Sequence, residues 1–300
     1  MKKRWLLAAA LAALVSLAAC GGANGGEHGA DRGAASGEHE HGAGEAASDA
    51  AEETGGHGGH GDHGGAEAAP AADLRASFAF AEGAAKANEE TELTVRITDP
   101  QGNAVNDFEV NHEKLLHLII VDHDLSFFAH VHPEFRGDGT FAIDATFPAG
   151  GEYKVFADFV PSGGSAMTLS EWMKVEGAEG AHAAIEPDAA LTKKAAGTSI
   201  ELALSGTKAN EETELTFTIR DAATGADIDD LEPYLGAVGH VVILSADAEQ
   251  YLHVHPLDET STGPEARFAA TFPAPGLYKI WGQFQRQGEV ITVPFTIEVS

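Results

Sequence analysis

The sequence predicts an all-β protein: two tandem Greek-key β-sandwiches carried behind a disordered, histidine-rich tether. Three observations lead there. From Asp73 onward, short runs of apolar and β-branched residues alternate with Gly, Pro, Asn and Asp turns, the pattern of strands in a sandwich. One pattern is written twice, since Lys86-Ala87-Asn88-Glu89-Glu90-Thr91-Glu92-Leu93-Thr94 recurs as Lys208-Ala209-Asn210-Glu211-Glu212-Thr213-Glu214-Leu215-Thr216. Before Asp73, large apolar residues almost vanish after the first 19 positions.

Taken in order, residues 1–19 read as an export signal. Lys2, Lys3 and Arg4 precede an apolar run from Trp5 to Val15, which is too short for a comfortable membrane span. The run ends in Leu17-Ala18-Ala19-Cys20, which resembles a bacterial lipobox. That resemblance implies cleavage before Cys20 and lipidation of its thiol, which anchors the protein to a membrane outside the cytoplasm. Cys20 is the only cysteine among 300 residues. The folded domains therefore have no disulfide, and any metal ligand must be His, Met or carboxylate.

Residues 20–72 are rich in Gly, Ala, Glu and His. Such a stretch cannot bury enough apolar surface to offset its chain entropy, so a disordered tether is expected. His57, His60 and His63 lie in it on a Gly-rich string and can gather weakly around a metal ion.

The first sandwich is expected over residues 73–177, with strands from Leu74 to Phe80, Glu92 to Thr98, Leu115 to Val121, Phe127 to His132, Thr140 to Phe147, Tyr153 to Val160 and Thr168 to Val175. Residues 178–190 are small and polar and read as a linker, and residues 191–300 repeat the sandwich. Gly151-Glu152-Tyr153-Lys154 recurs as Gly276-Leu277-Tyr278-Lys279, which makes Tyr153 and Tyr278 either tyrosine corners or ordinary core tyrosines.

The chemistry concentrates in one hairpin per domain. The first runs from His117 through Val121 and returns through His130-Val131-His132-Pro133, and the second runs from His240 through Leu244 and returns through His253-Val254-His255-Pro256. Alternation along a strand puts His130 and His132 on one face. An even loop centred on His123-Asp124 sets His117 opposite His130, and one centred on Ala246-Asp247 sets His240 opposite His253. A slip by one residue moves His117 to the other face. Two metal sites are thus expected: His117, His130 and His132, and His240, His253 and His255. Three imidazoles suit copper, with zinc as the alternative. His112, His123, Asp122, Asp124, Met167 and Met173 lie near the first hairpin as further donors, the methionines otherwise filling core. Both faces of the first hairpin strand are apolar, which calls for a cover, the other domain being one choice.

Charge and motifs exclude several classes. Lys+Arg 18 against Asp+Glu 47 gives a net charge of −29, which repels nucleic acid and anionic lipid and attracts cations. A blue-copper carrier needs a Cys ligand. No Ser/His/Asp pattern, phosphate loop or zinc-protease motif occurs, so no enzyme is expected.

Pro233-Tyr234-Leu235-Gly236, Gly239-His240 and Leu252-His253-Val254-His255-Pro256 resemble the signature of the YtkA-like or FixH-like secreted bacterial β-sandwich proteins, which handle copper or heavy metals. His117 and Phe128-Ala129-His130-Val131-His132-Pro133 match the same pattern. The resemblance implies immunoglobulin-like domains, an extracytoplasmic place, and a lipoprotein that sequesters copper or delivers it to a transport or copper-enzyme partner. Two other readings stand beside it: an immunoglobulin-like interaction module with structural His, and a copper enzyme resembling copper,zinc superoxide dismutase in its His-Val-His strand. The latter lacks the further His and Asp series for a bridged zinc.

Overall fold

The computed structural model describes residues 73–300, except His253 and the side chain of His255. The export signal, Cys20 and the tether with His57, His60 and His63 lie outside the described residues. The strands of the first domain are β1 (Arg75–Phe80), β2 (Ala85–Lys86), β3 (Glu90–Thr98), β4 (Phe108–Glu109), β5 (Leu116–Asp122), β6 (Phe128–Val131), β7 (Glu134–Gly137), β8 (Thr140–Thr146), β9 (Gly151–Pro161) and β10 (Met167–Glu176). Those of the second are β11 (Thr192–Ala195), β12 (Thr198–Leu204), β13 (Glu212–Asp221), β14 (His240–Ser245), β15 (Tyr251–Leu252), β16 (His255–Pro256), β17 (Glu265–Thr271), β18 (Gly276–Arg286) and β19 (Glu289–Val299). The described residues contain no helix.

Each domain is a pair of sheets. In the first, β1-β3-β8-β7 faces β2-β10-β9-β5-β6, with β4 paired to β9; in the second, β11-β12-β13-β17-β16 faces β15-β14-β18-β19. Strands of the β1-β3-β8-β7 and β11-β12-β13-β17-β16 sheets bury every second residue, as Leu93, Val95 and Ile97 do in β3 and Leu215, Phe217 and Ile219 in β13, which is what period-2 patterning requires. The short β2, β4 and β7 were not among the expected strands. Segments this brief are defined by their partners and leave little period to read.

Of the two readings of Tyr153 and Tyr278, the structure shows the corner bond in both. Tyr153 donates its hydroxyl hydrogen to the carbonyl of Ala149 at 3.0 Å, and Tyr278 donates to Ala274 at 2.9 Å. Each ring is buried in its own core.

The inner strands are buried on both faces. Leu118 and Ile120 of β5 point into the first core, while Ile119 and Val121 join Leu125, Phe156, Val242, Leu244, Ala248 and Trp281 in a separate cluster between the domains. The second domain is thus the cover that the doubly apolar strand required. Phe128 stacks on Trp281 with centroids 4.6 Å apart, and Phe156 meets Tyr251 at 5.7 Å. Two lysines cross the same boundary: the buried Lys154 reaches Glu249 through Nζ at 2.6 Å, and the half-buried Lys279 donates from Nζ to the Leu125 carbonyl at 2.7 Å.

Candidate metal centre

His117 lies on β5 with the parity of Ile119 and Val121, so it faces the interdomain side. Ile119 pairs with His130 and Leu118 with Val131; one further step of that ladder sets His117 against His132. The loop is even, as the argument required, but its centre is Asp124-Leu125 and not His123-Asp124. Leu125 takes a φ of 53° and donates its N–H to the Asp122 carbonyl at 3.1 Å. Asp122 also holds the turn through its carboxylate, which accepts from Ser126 N at 2.7 Å and Phe127 N at 3.0 Å. The expected partner of His117 is therefore corrected from His130 to His132. Because the shift is two residues, all three His keep one face.

The three side chains converge. One ligand nitrogen from each of His117, His130 and His132 lies within 4.8 Å of the others, an arrangement that could hold a metal ion. His117 Nδ1 and His130 Nε2 are 3.1 Å apart. The remaining nitrogen of each ring faces an oxygen: His117 Nε2 is 2.9 Å from the Asn111 carbonyl, and His130 Nδ1 is 2.6 Å from Gln283 Oε1. Those oxygens only accept, so each ring places its hydrogen there. The tautomers assigned this way point the lone pairs of His117 Nδ1 and His130 Nε2 at one another. His132 Nε2 is buried with no hydrogen-bond partner.

A proton is a poor way to relieve this. Burial pushes the His130 imidazole down to about 3, the Gln283 contact opposing and the neighbouring His adding to the shift. Burial, then His117, pushes His132 down to about 4. His240 also lies well below the usual imidazole range, again mainly through burial. Neutral rings are what a metal requires. Nitrogens 3.1 Å apart are close enough that one ion could be held by both rings.

His240 enters this same group. Its ring is stacked on His117 at 5.6 Å, and lies 4.8 Å from the His130 ring and 5.4 Å from that of His112. His112 sits in a tight turn, with Asn111 and Lys114 exchanging backbone bonds and positive φ at both His112 and Glu113. The second domain repeats that turn at Tyr234-Leu235-Gly236-Ala237, with positive φ at Leu235 and Gly236.

The second hairpin departs from expectation. Its ladder pairs Ile243 with Leu252 and Leu244 with Tyr251, and by His255 the chain has crossed to the other sheet, where it pairs with Ala269. The expected register of His240 opposite His253 is thus displaced by two residues, because the turn centres on Asp247-Ala248, where Ala248 takes a φ of 55° and donates its N–H to the Ser245 carbonyl at 2.8 Å. His253 lies outside the described residues, as does the His255 side chain. At the far end of the first hairpin, His123 is exposed and leans on Asp124, whose carboxylate also holds His182 at 2.8 Å. Met173 and Met167 pack with the first core.

Two residues that contact the histidine group escaped sequence reasoning, Asn111 and Gln283. Asn111 acts through its backbone and leaves no signature. Gln283 had one: it is a polar residue inside the apolar run from Ile280 to Phe284, at the repeat position of Asp158 between Ala157 and Phe159.

Comparison with known proteins yields a family. A family model described as a domain of unknown function (DUF8832) matches residues 72–177 and 193–300. No curated protein matches. Among solved structures, the chain is similar to the Escherichia coli adhesin FdeC (21% identity over 75% of this chain and 64% of that one, TM-score 0.26). It is also similar to the Yersinia pseudotuberculosis adhesin InvE (9% identity, 74% and 58%, TM-score 0.25) and to domains 4 and 5 of the S-layer protein SbsC (12%, 75% and 97%, TM-score 0.21). The chain spans about three fifths of the length of the two adhesins. Likenesses at these TM-scores carry no functional weight.

Proposed function

The chain belongs to the DUF8832 family, and we propose that it is an extracytoplasmic, lipid-anchored metal-binding protein. His117, His130 and His132 hold a transition-metal ion, copper in preference to zinc, for sequestration or delivery to a metal-transport or copper-enzyme partner. The site binds and releases; it does not catalyse. One observation carries the reading: one nitrogen each from His117, His130 and His132 lies within 4.8 Å of the others, with His117 Nδ1 and His130 Nε2 only 3.1 Å apart. Two adjacent acceptor nitrogens repel in a low-dielectric site, and a cation bound by both rings would turn that cost into coordination. The unpartnered Nε2 of His132 supplies a third donor. Copper(II) leads because nitrogen sites follow the Irving–Williams order, and the methionines that favour copper(I) pack in the core. The lipobox at Leu17 to Cys20 supports the anchor, His57, His60 and His63 serve as a weak collector, and the YtkA-like hairpin residues support copper handling.

Calorimetric melting of the full chain tests this. Metal that binds only the folded state stabilises it by about 3 kcal/mol at a hundredfold excess over Kd. Wild-type melting should rise with Cu(II) or Zn(II), and the double variant His130→Asn, His132→Gln should lose that rise while still folding. A wild-type melting curve indifferent to both metals rejects the reading.

A further inference from the structure

We infer that Gln283, on β18 of the second domain, is a positioning residue for the metal site of the first. It holds His130 with Nε2 turned toward His117, and so makes metal affinity depend on the docked second domain. The inference rests on the metal-binding reading above.

The geometry is specific. Gln283 is only 4% exposed. Its amide is oriented at both ends: Nε2 donates to Thr292 Oγ1 at 3.2 Å, which turns Oε1 toward His130 Nδ1 at 2.6 Å. Thr292 is the register partner of Gln283 across β18 and β19, so the backbone ladder fixes the pair. The bond spans 153 residues of sequence and crosses the domain boundary. A metal-bound imidazole characteristically gives its other N–H to a carbonyl or carboxylate oxygen, which sets its tautomer and raises its basicity. Here that oxygen comes from the other domain.

The internal repeat supports an assigned position. Asp158 occupies the equivalent place on β9, opposite His117 in register, as Gln283 stands opposite His240. It too is buried and meets a threonine, Thr168, whose hydroxyl lies 3.2 Å from its carboxylate. The fold therefore accommodates either an amide or a carboxylate at this place, which makes Glu a conservative replacement.

The test uses the full chain and Zn(II), with affinity measured by chelator competition and the His130 tautomer read from ring-nitrogen NMR shifts. Gln283→Leu should weaken Zn(II) binding about 10- to 100-fold and release His130 from the Nδ1–H form. Gln283→Glu should keep affinity within a few-fold of wild type, or raise it. The inference is overturned if Gln283→Leu binds Zn(II) as wild type does, or if Leu and Glu weaken binding alike, which would identify lost packing as the cause. Failure of the wild type itself to bind Zn(II) or Cu(II) would instead reject the metal reading from which the inference starts.

Discussion

At His130 and His132 the burial that prepares the rings for a metal also makes them acid-labile. With folded-state values near 3 and 4 against about 6.5 in an unfolded chain, the unfolded state takes up these protons first. Their contribution to stability is intact above pH 6.5 and is lost as pH falls from there to about 4 for His132 and about 3 for His130. Each pH unit in that window costs up to about 1.4 kcal/mol per group. The metal-free protein should thus lose denaturant resistance steeply between pH 6.5 and 4, and His130→Gln with His132→Gln should flatten the slope. An unchanged midpoint across that range in the wild type would contradict the burial argument. The same shift moves the expected acid loss of metal affinity well below pH 6.5, the value for free imidazole. Sequence alone could not give this, because it names the histidines and not what desolvates them.

At the level of strands, the site depends on where β14 begins. A methyl group on Gly239 would lie 2.6 Å from a Phe284 ring carbon and 2.7 Å from the Gln283 carbonyl oxygen. The second contact is backbone, so β14 would have to move and take His240 with it. Gly239→Ala should destabilise the protein by about 1–3 kcal/mol, read as a lower melting temperature; an unchanged melting temperature would mean the strand start is freer than its packing implies. Much of this level was legible in sequence. Alternation marked the long strands, parity kept His117, His130 and His132 together, and the two apolar faces of β5 called for a second cover. The turn centre was not legible. Asp122 and Leu125 shift it by one residue through side-chain and backbone bonds within the loop, and no periodicity encodes that. The early sheet change at β16 was equally hidden, since both hairpins carry the same His-Val-His-Pro letters.

For the whole molecule, the repeat matters because its two copies meet. Phe128 on Trp281 and Phe156 on Tyr251 are the same contact made from opposite sides, and the equivalent lysines also cross, Lys154 to the Glu249 carboxylate and Lys279 to the Leu125 carbonyl. The histidines lie on that shared face, so docking and metal binding draw on the same surface. Linkage then demands reciprocity: whatever docking adds to metal affinity, metal returns to docking. Trp281 gives the lever, being 2% exposed and stacked on a residue two positions from His130. Truncating it removes an aromatic contact of about 0.5–1.5 kcal/mol beyond its buried area, without touching a ligand. In Trp281→Ala, hydrogen exchange at Ile119, Val121, Val242 and Leu244 should speed up in the metal-free protein, Zn(II) affinity should fall, and saturating Zn(II) should slow that exchange again. Faster exchange at unchanged Zn(II) affinity would show that the domains dock without regard to the metal, and the site would then belong to the first domain alone.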